Sequence, residues 1–158
     1  MKRWLVCAAL IFLVAASGYM PFSGSDVGTL QPVELISLSV SEDLITVKTD
    51  TGDMGQGSDI DSAFSDLKRT AAGKVFLETA DYLLIDQKGL LYLPRLTAIL
   101  RPACKVCVTN DDVDLKKAAE YLRIQADNFT LQNYRAGERS IPYLAVHEER
   151  MYIVSKEY

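Results

Sequence analysis

The sequence predicts a mixed α/β fold: a mixed β-sheet with about three packed helices, opened and closed by β-hairpins. Two hairpin patterns flank a central part in which strand-like apolar runs alternate with helical repeats. The length of 158 residues, with 49% hydrophobic and 24% charged residues, suits one globular domain. The same composition excludes a wholly disordered chain, a collagen-like fibre and a protein with several membrane spans.

The first twenty residues have the outline of a secretory signal. Lys2 and Arg3 precede an uncharged run from Trp4 to Met20. As a helix that run would span about 25 Å, which is short of the ~30 Å hydrocarbon slab of a bilayer. We therefore expect residues 1–18 to be a cleaved signal peptide or an N-terminal membrane anchor. The rest of the chain is then secreted or anchored to the outer face of the cytoplasmic membrane.

The net charge restricts the classes of partner. It is −4 for the whole chain, and removal of the segment that carries Lys2 and Arg3 leaves 15 basic side chains against 21 acidic ones. A nucleic-acid-binding protein needs a basic surface, so we expect no nucleic-acid partner. An acidic surface is not attracted to anionic lipid, so we expect membrane contact through the N-terminal segment only.

The exported part reads as a linker followed by one domain. Residues 19–32 combine Gly, Ser and Pro without periodicity, which is typical of a linker. Residues 33–158 contain no internal repeat and no second linker, so they are predicted to form a single mixed α/β domain.

The two predicted hairpins come from paired β-rich runs. Val33–Val40 and Leu44–Thr49 are separated by three polar residues, and Ile141–His147 and Arg150–Val154 by two. They give the domain an opening and a closing hairpin.

Between the hairpins the pattern alternates between helix and strand. Ser58 is the predicted N-cap of the first helix, and Gly73 ends it. The third helix is predicted to begin at Asp111 or Asp112. The other predicted elements are the covered strand Tyr82–Ile85, the helix Leu90–Leu100 and the strand Ala103–Thr109.

Cys104 and Cys107 form a CxxC motif, which in an exported protein indicates a thiol-disulfide oxidoreductase. The surrounding residues favour a different interpretation. Apolar and polar residues alternate here as in a strand, which would direct the two sulfurs to opposite faces. Three residues of strand would also separate the two Cα atoms by about 10 Å, beyond the reach of a disulfide. Two structural strand cysteines are the preferred prediction, and a redox pair is the alternative.

No other motif predicts a catalytic, cofactor-binding or metal-binding site. The loop Gly52–Gly57 precedes a helix but has acidic neighbours and no basic residue, which does not suit a phosphate, so we interpret it as a turn. His147 is the only histidine, which excludes a multi-histidine zinc site. We expect it at the surface of the closing hairpin.

Tyrosine is frequent in the domain. We expect most of these side chains to lie at core edges with hydrogen-bonded hydroxyls, although tyrosines also anchor partner surfaces. The residues concerned are Tyr82, Tyr92, Tyr121, Tyr134, Tyr143 and Tyr152.

Taken in order, these motifs resemble the N-terminal domain of the C subunit of spore germinant receptors, the Ger(x)C family, as in a shortened or distant relative. The opening hairpin is similar in LQPVELISLSVSEDLITVKTDTG, and the following loop, helix and strand in GQGSDIDSAFSDLKRTAAGKVFLETADYLLID. The next strand and helix are similar in LRPACKVCVTNDDVDLKKAAEYL, and the last helix and hairpin in FTLQNYRAGERSIPYLAVHEERMYIV. The resemblance implies a membrane-associated, non-enzymatic role in sporulation or germination through protein–protein contacts.

The sequence thus predicts a non-enzymatic interaction or assembly domain that acts with a protein partner at the outer face of the membrane, without a cofactor. Two alternatives stay open. One is an exported thiol-disulfide oxidoreductase that uses Cys104 and Cys107. The other is a small-ligand binding module with a pocket between the helices and the sheet.

Overall fold

The computed structural model describes residues 30–125, 129–148 and 150–154. The predicted signal segment, residues 1–18, lies outside the described residues, as does the linker up to residue 29.

Nine strands and four α-helices make up the described chain. The strands are β1 (Leu30–Pro32), β2 (Leu35–Ser41), β3 (Leu44–Thr49), β4 (Met54–Gly57), β5 (Lys74–Phe76), β6 (Tyr82–Ile85), β7 (Lys105–Val108), β8 (Tyr143–His147) and β9 (Arg150–Val154). The helices are α1 (Ile60–Thr70), α2 (Leu93–Ile99), α3 (Leu115–Ile124) and α4 (Leu131–Arg135), with 3₁₀ turns at Leu77–Thr79 and Gly89–Tyr92.

Seven of the strands form one mixed sheet in the order β4-β3-β2-β6-β7-β8-β9. The inner strands β2, β6, β7 and β8 run parallel, whereas β3, β4 and β9 join by antiparallel pairing. β1 and β5 form a separate parallel pair. The predicted fold class is confirmed: a mixed sheet with packed helices, an opening hairpin (β2–β3) and a closing hairpin (β8–β9).

The sheet has two differently covered faces. Face A carries Ile36, Leu83 and Val106, and it packs against buried residues of α1, α2 and α4 in one core cluster. Face B carries Leu35 and Leu84 and packs against α3 in a second cluster. All four residues of β6 are buried, which confirms that this strand is covered on both sides.

Several predicted boundaries were wrong because local polar residues compete for the same role. Asp59, not Ser58, caps α1: its side chain accepts the N–H of Ser62, and the Ser62 hydroxyl accepts the N–H of Asp59. α3 begins at Leu115, later than predicted, because the carboxylate of Asp114 caps it by accepting the N–H groups of Lys116 and Lys117.

Three further differences concern residues predicted to be irregular or uniformly helical. Leu30–Pro32, assigned to the linker, pairs with β5 as a strand. The end of the Gly-rich loop, Met54–Gly57, is strand β4 and not a turn. The predicted helix Leu90–Leu100 divides into a 3₁₀ turn and α2, with Pro94 in the first turn of α2, where the missing N–H costs no hydrogen bond.

Among the described residues, no helix combines the length and the apolar character needed to cross a membrane.

Candidate functional site

The structure places the two cysteines of the CxxC motif on opposite sides of the sheet, as predicted. Cys104, just before β7, belongs to the core on face A, and Cys107 in β7 belongs to the core on face B. Cys104 has no exposed surface. Burial raises the pKa of its thiol to about 12, so the reactive thiolate is scarce at neutral pH. The fold therefore does not bring the two thiols together in one cleft.

The other residues singled out in the sequence do not converge on one site either. His147 is exposed at the end of β8, beside the turn of the closing hairpin. Within the described ranges, no group of three or more His, Cys, Asp or Glu side chains is placed to hold a metal ion.

The tyrosines divide into core-edge residues and one exposed residue. Tyr82 is buried, and Tyr92, Tyr121, Tyr134 and Tyr143 are half-buried against the two cores. Tyr152, in β9, is 39% exposed. Tyr152 thus departs from the core-edge expectation and lies on an outer strand of the sheet.

A polar groove lies on face B where the parallel strands β2, β6 and β7 end. It encloses about 310 Å³, and its lining includes Ser37, Ser39, Lys48, Asp86, Thr109, Asn110, Asp111 and Asp112. The carboxyl edge of parallel strands is where α/β sheets commonly bind ligands. Sequence reasoning missed this groove, although polar residues directly after two buried strands are a signal for it.

Two of the three carboxylates of this groove accept backbone N–H groups of the fold. The two oxygens of Asp86 accept the N–H groups of Val40 and Gly89, each at 2.6 Å. Oδ2 of Asp111 accepts the N–H of Val146 at 2.9 Å, which ties β8 to the loop after β7. These acidic groups serve as structural acceptors for backbone N–H groups.

The two outer strands of the sheet differ in how their free edges are treated. At β4, the N–H of Gln56 donates to Oδ2 of Asp66 at 2.9 Å, and the carbonyl of Met54 accepts the hydroxyl of Thr70 at 2.9 Å. Asp66 and Thr70 both belong to α1. Side chains of the neighbouring helix therefore bind one outward backbone group of Met54 and one of Gln56.

Two glycines allow α1 to come close enough for this. A Cβ on Gly55 would lie 2.3 Å from the backbone nitrogen of Leu67, and a Cβ on Gly57 2.5 Å from that of Ala63. Both distances are far below a van der Waals contact, so only glycine fits beneath the helix at these positions. The Gly-rich segment thus forms a strand on which the helix rests.

At β9 the outward backbone groups have a different environment. His147 pairs with Arg150 next to a two-residue turn, so this pair is hydrogen-bonded, and hydrogen-bonded pairs then recur at every second residue. The backbone N–H and C=O groups of Arg150, Tyr152 and Val154 therefore point toward β8. The N–H and C=O groups of Met151 and Ile153 therefore point away from the sheet. Within the part of the chain that the structure describes, no group forms a hydrogen bond to them.

Four of the five side chains of β9 are apolar or aromatic, and the fifth is Arg150. Met151 and Ile153 pack against the face-B core, while Tyr152 and Val154 are 39% and 43% exposed beside half-buried Tyr143 on the opposite face. An open edge flanked by apolar side chains is a ready template for another strand. We take the β9 edge, Arg150–Val154, as the candidate functional site.

Comparison of the chain with protein-family models, curated proteins and solved structures finds no match.

Proposed function

We propose that this chain is a non-enzymatic assembly domain, secreted or tethered at the outer face of the cytoplasmic membrane, whose β9 edge receives an extended segment of a protein. One observation carries the proposal. At the β4 edge Asp66 and Thr70 each bind one outward backbone group, whereas no side chain of the described residues binds the outward groups of Met151 and Ile153 at the β9 edge. Addition of a strand to an exposed edge is a general mode of protein recognition.

Four further features support the proposal. The basic and then apolar start of the chain supports export, and the acidic remainder supports contact with protein and not with anionic lipid. The burial of Cys104 on the face opposite Cys107 supports a structural role for both. The resemblance to Ger(x)C proteins supports a role in sporulation or spore germination.

Position-specific photo-cross-linking tests the docking edge. A photoreactive phenylalanine derivative is placed at Tyr152 in β9 or, as the matched control, at Met54 in β4, which is 46% exposed. The full chain is irradiated in the cells that produce it. We expect covalent adducts from position 152 and not from position 54. Adducts at neither position, or equally at both, would contradict the proposal.

Deletion of the gene tests the germination role. We expect fewer spores or delayed germination, with recovery when the intact gene is restored. Normal spore numbers and normal germination would remove this part of the proposal and leave the docking edge to be judged by cross-linking.

The thiol-oxidoreductase alternative has a direct test in insulin reduction. We expect the full chain and its Cys107→Ser variant to reduce insulin no faster than the reductant alone. Clear turnover by the full chain that is lost in Cys107→Ser would establish the alternative.

A further inference from the structure

We infer that the strand received by β9 is β9 of a second copy, paired antiparallel about a two-fold axis that passes through Tyr152. The inference rests on the proposed function, because it names the occupant of the same edge. A two-fold pair is closed, so it adds one partner and does not propagate into a filament.

The backbone supports this pairing through its register. Because the outward groups belong to Met151 and Ile153, an axis through Tyr152 sets Met151 of each copy opposite Ile153 of the other. Each such pair exchanges two backbone hydrogen bonds. The dimer would thus satisfy the outward N–H and C=O groups of both residues in both copies.

The side chains are self-complementary in the same register. On one face Tyr152 meets Tyr152 of the second copy, with Cβ atoms about 4.5–5.5 Å apart. Arg150 lies opposite Val154 of the second copy and diagonal to its Tyr152, within reach of a cation–π contact. On the other face Met151 meets Ile153, which extends the core under α3 across the axis. No two like charges of β9 oppose each other.

Other registers are less favourable. A shift of the axis to Met151 would place Val154 opposite Glu148, an acidic residue of the turn. A slip by one residue would set Met151 opposite Tyr152 of the second copy, whose backbone groups are bonded to β8, so the outward groups of Met151 would find no partner. The register centred on Tyr152 is the one that pairs all five residues of β9 with residues of β9.

Disulfide trapping in the full chain tests the inference. In an antiparallel pair that is not hydrogen-bonded, opposite Cα atoms lie about 4.5 Å apart, which permits a disulfide. The full chain carrying Tyr152→Cys is therefore expected to form a covalent dimer on mild oxidation. The control Met54→Cys, at the β4 edge beneath α1, and the unsubstituted chain are expected to form no covalent dimer, because neither places a cysteine at the β9 edge.

A second pair of variants tests the register and does not depend on Tyr152. Chains with Arg150→Cys and chains with Val154→Cys are oxidised separately and as a mixture. We expect at least a tenfold higher yield of covalent dimer in the mixture, because residue 150 faces residue 154 of the other copy. Equal yields in all three samples, or a dimer of Met54→Cys as abundant as that of Tyr152→Cys, would overturn the inference.

The cross-linking experiment separates this inference from the proposed function. An adduct at position 152 with the mass of two copies of this chain supports both. An adduct with a different protein and no trapped dimer keeps the proposed function and refutes the second copy as occupant. The absence of any adduct, together with no trapped dimer, refutes both.

Discussion

The two outer strands of the seven-stranded sheet differ in the environment of their outward backbone groups. An exposed strand edge invites pairing with other chains, and proteins usually cover it, charge it or shorten it. β4 is partly covered: Asp66 of α1 accepts the N–H of Gln56, and Thr70 donates to the carbonyl of Met54. β9 is longer, and Met151 and Ile153 in it present outward groups between apolar side chains.

At β4 the approach of the helix to the edge depends on the sequence of the strand. α1 reaches the β4 edge because Gly55 and Gly57 lack a Cβ, so the helix backbone lies directly against the strand. β9 has no glycine, and its bulky side chains instead fill the face-B core and the surface beside Tyr143. We infer that the glycines serve edge protection and that the β9 residues serve association.

The largest expected effect comes from filling the space beneath α1. Gly55→Ala places a Cβ against the backbone of Leu67 and Ala63, so the helix must move away from β4. We expect the free energy of unfolding, measured by urea titration, to fall by about 2–3 kcal/mol. The control is Gly52→Ala, where φ is +94° and no atom lies within 4 Å of the added Cβ. Backbone strain alone should cost about 1 kcal/mol there. Equal losses at the two positions would show that α1 does not rest on β4 as described.

Opening the β4 edge should make it behave like β9. In a chain with Met54→Cys, the added substitutions Asp66→Ala and Thr70→Val remove both acceptor and donor from the edge. We expect covalent dimers through position 54 that Met54→Cys alone does not form. Arg69→Ala is the control, since Arg69 pairs with Asp66 and, among the described residues, donates no hydrogen bond to the strand. The comparison fails if no covalent dimer forms through position 54 while circular dichroism shows that the helices stay folded.

Loosening the closing hairpin should weaken β9 and leave β4 unchanged. Asp111→Ala removes the acceptor of the Val146 N–H, which ties β8 to the loop after β7. We expect a loss of about 1 kcal/mol, seen as faster amide exchange in β8 and β9. Its exposed neighbour gives the control, Asp112→Ala. Faster exchange throughout the chain in Asp111→Ala would mean that the hairpin does not open separately.

The smallest expected effect is on the free energy of unfolding at acidic pH. The hydrogen bond from Arg69, followed by that from the N–H of Gln56, lowers the pKa of Asp66 below its ordinary value of 3.8. A lowered pKa stabilises the fold above pH 3.8, and this contribution is lost as the pH falls through the pKa of the folded state. The stability difference between the native chain and Asp66→Asn should therefore shrink below pH 3.8. A difference that stays constant from pH 6 to pH 2.5 would contradict the role of this carboxylate.

Most strands of the fold could be predicted from the sequence because their residue patterns are local. The alternation around Cys104 and Cys107 predicted their opposite faces, and the continuous apolar run Tyr82–Ile85 predicted a strand covered twice. β4 was missed because Met54–Gly57 carries two glycines and no β-branched residue. Its strand conformation comes from pairing with β3 and from α1 above it, which are contacts distant in sequence.

The candidate site could not be predicted from the sequence, for a related reason. The sequence indicated a hairpin that ends in Val154, but not that this strand would lie at the border of the sheet. Whether an edge is open depends on side chains from distant parts of the sequence, such as Asp66 at β4. Helix caps are a separate difficulty, because the capping residue is hard to assign where several polar residues are adjacent. The same ambiguity explains the shifts from Ser58 to Asp59 and from Asp111 or Asp112 to Asp114.

Amide hydrogen exchange of the full chain at two protein concentrations tests the central claim most directly. At low concentration we expect the amide of Gln56 to be protected and those of Met151 and Ile153 to exchange rapidly. At high concentration the Met151 and Ile153 amides should become protected as β9 pairs, with Gln56 unchanged. Equal protection of the two edges at both concentrations would contradict the distinction between an occupied β4 and an open β9.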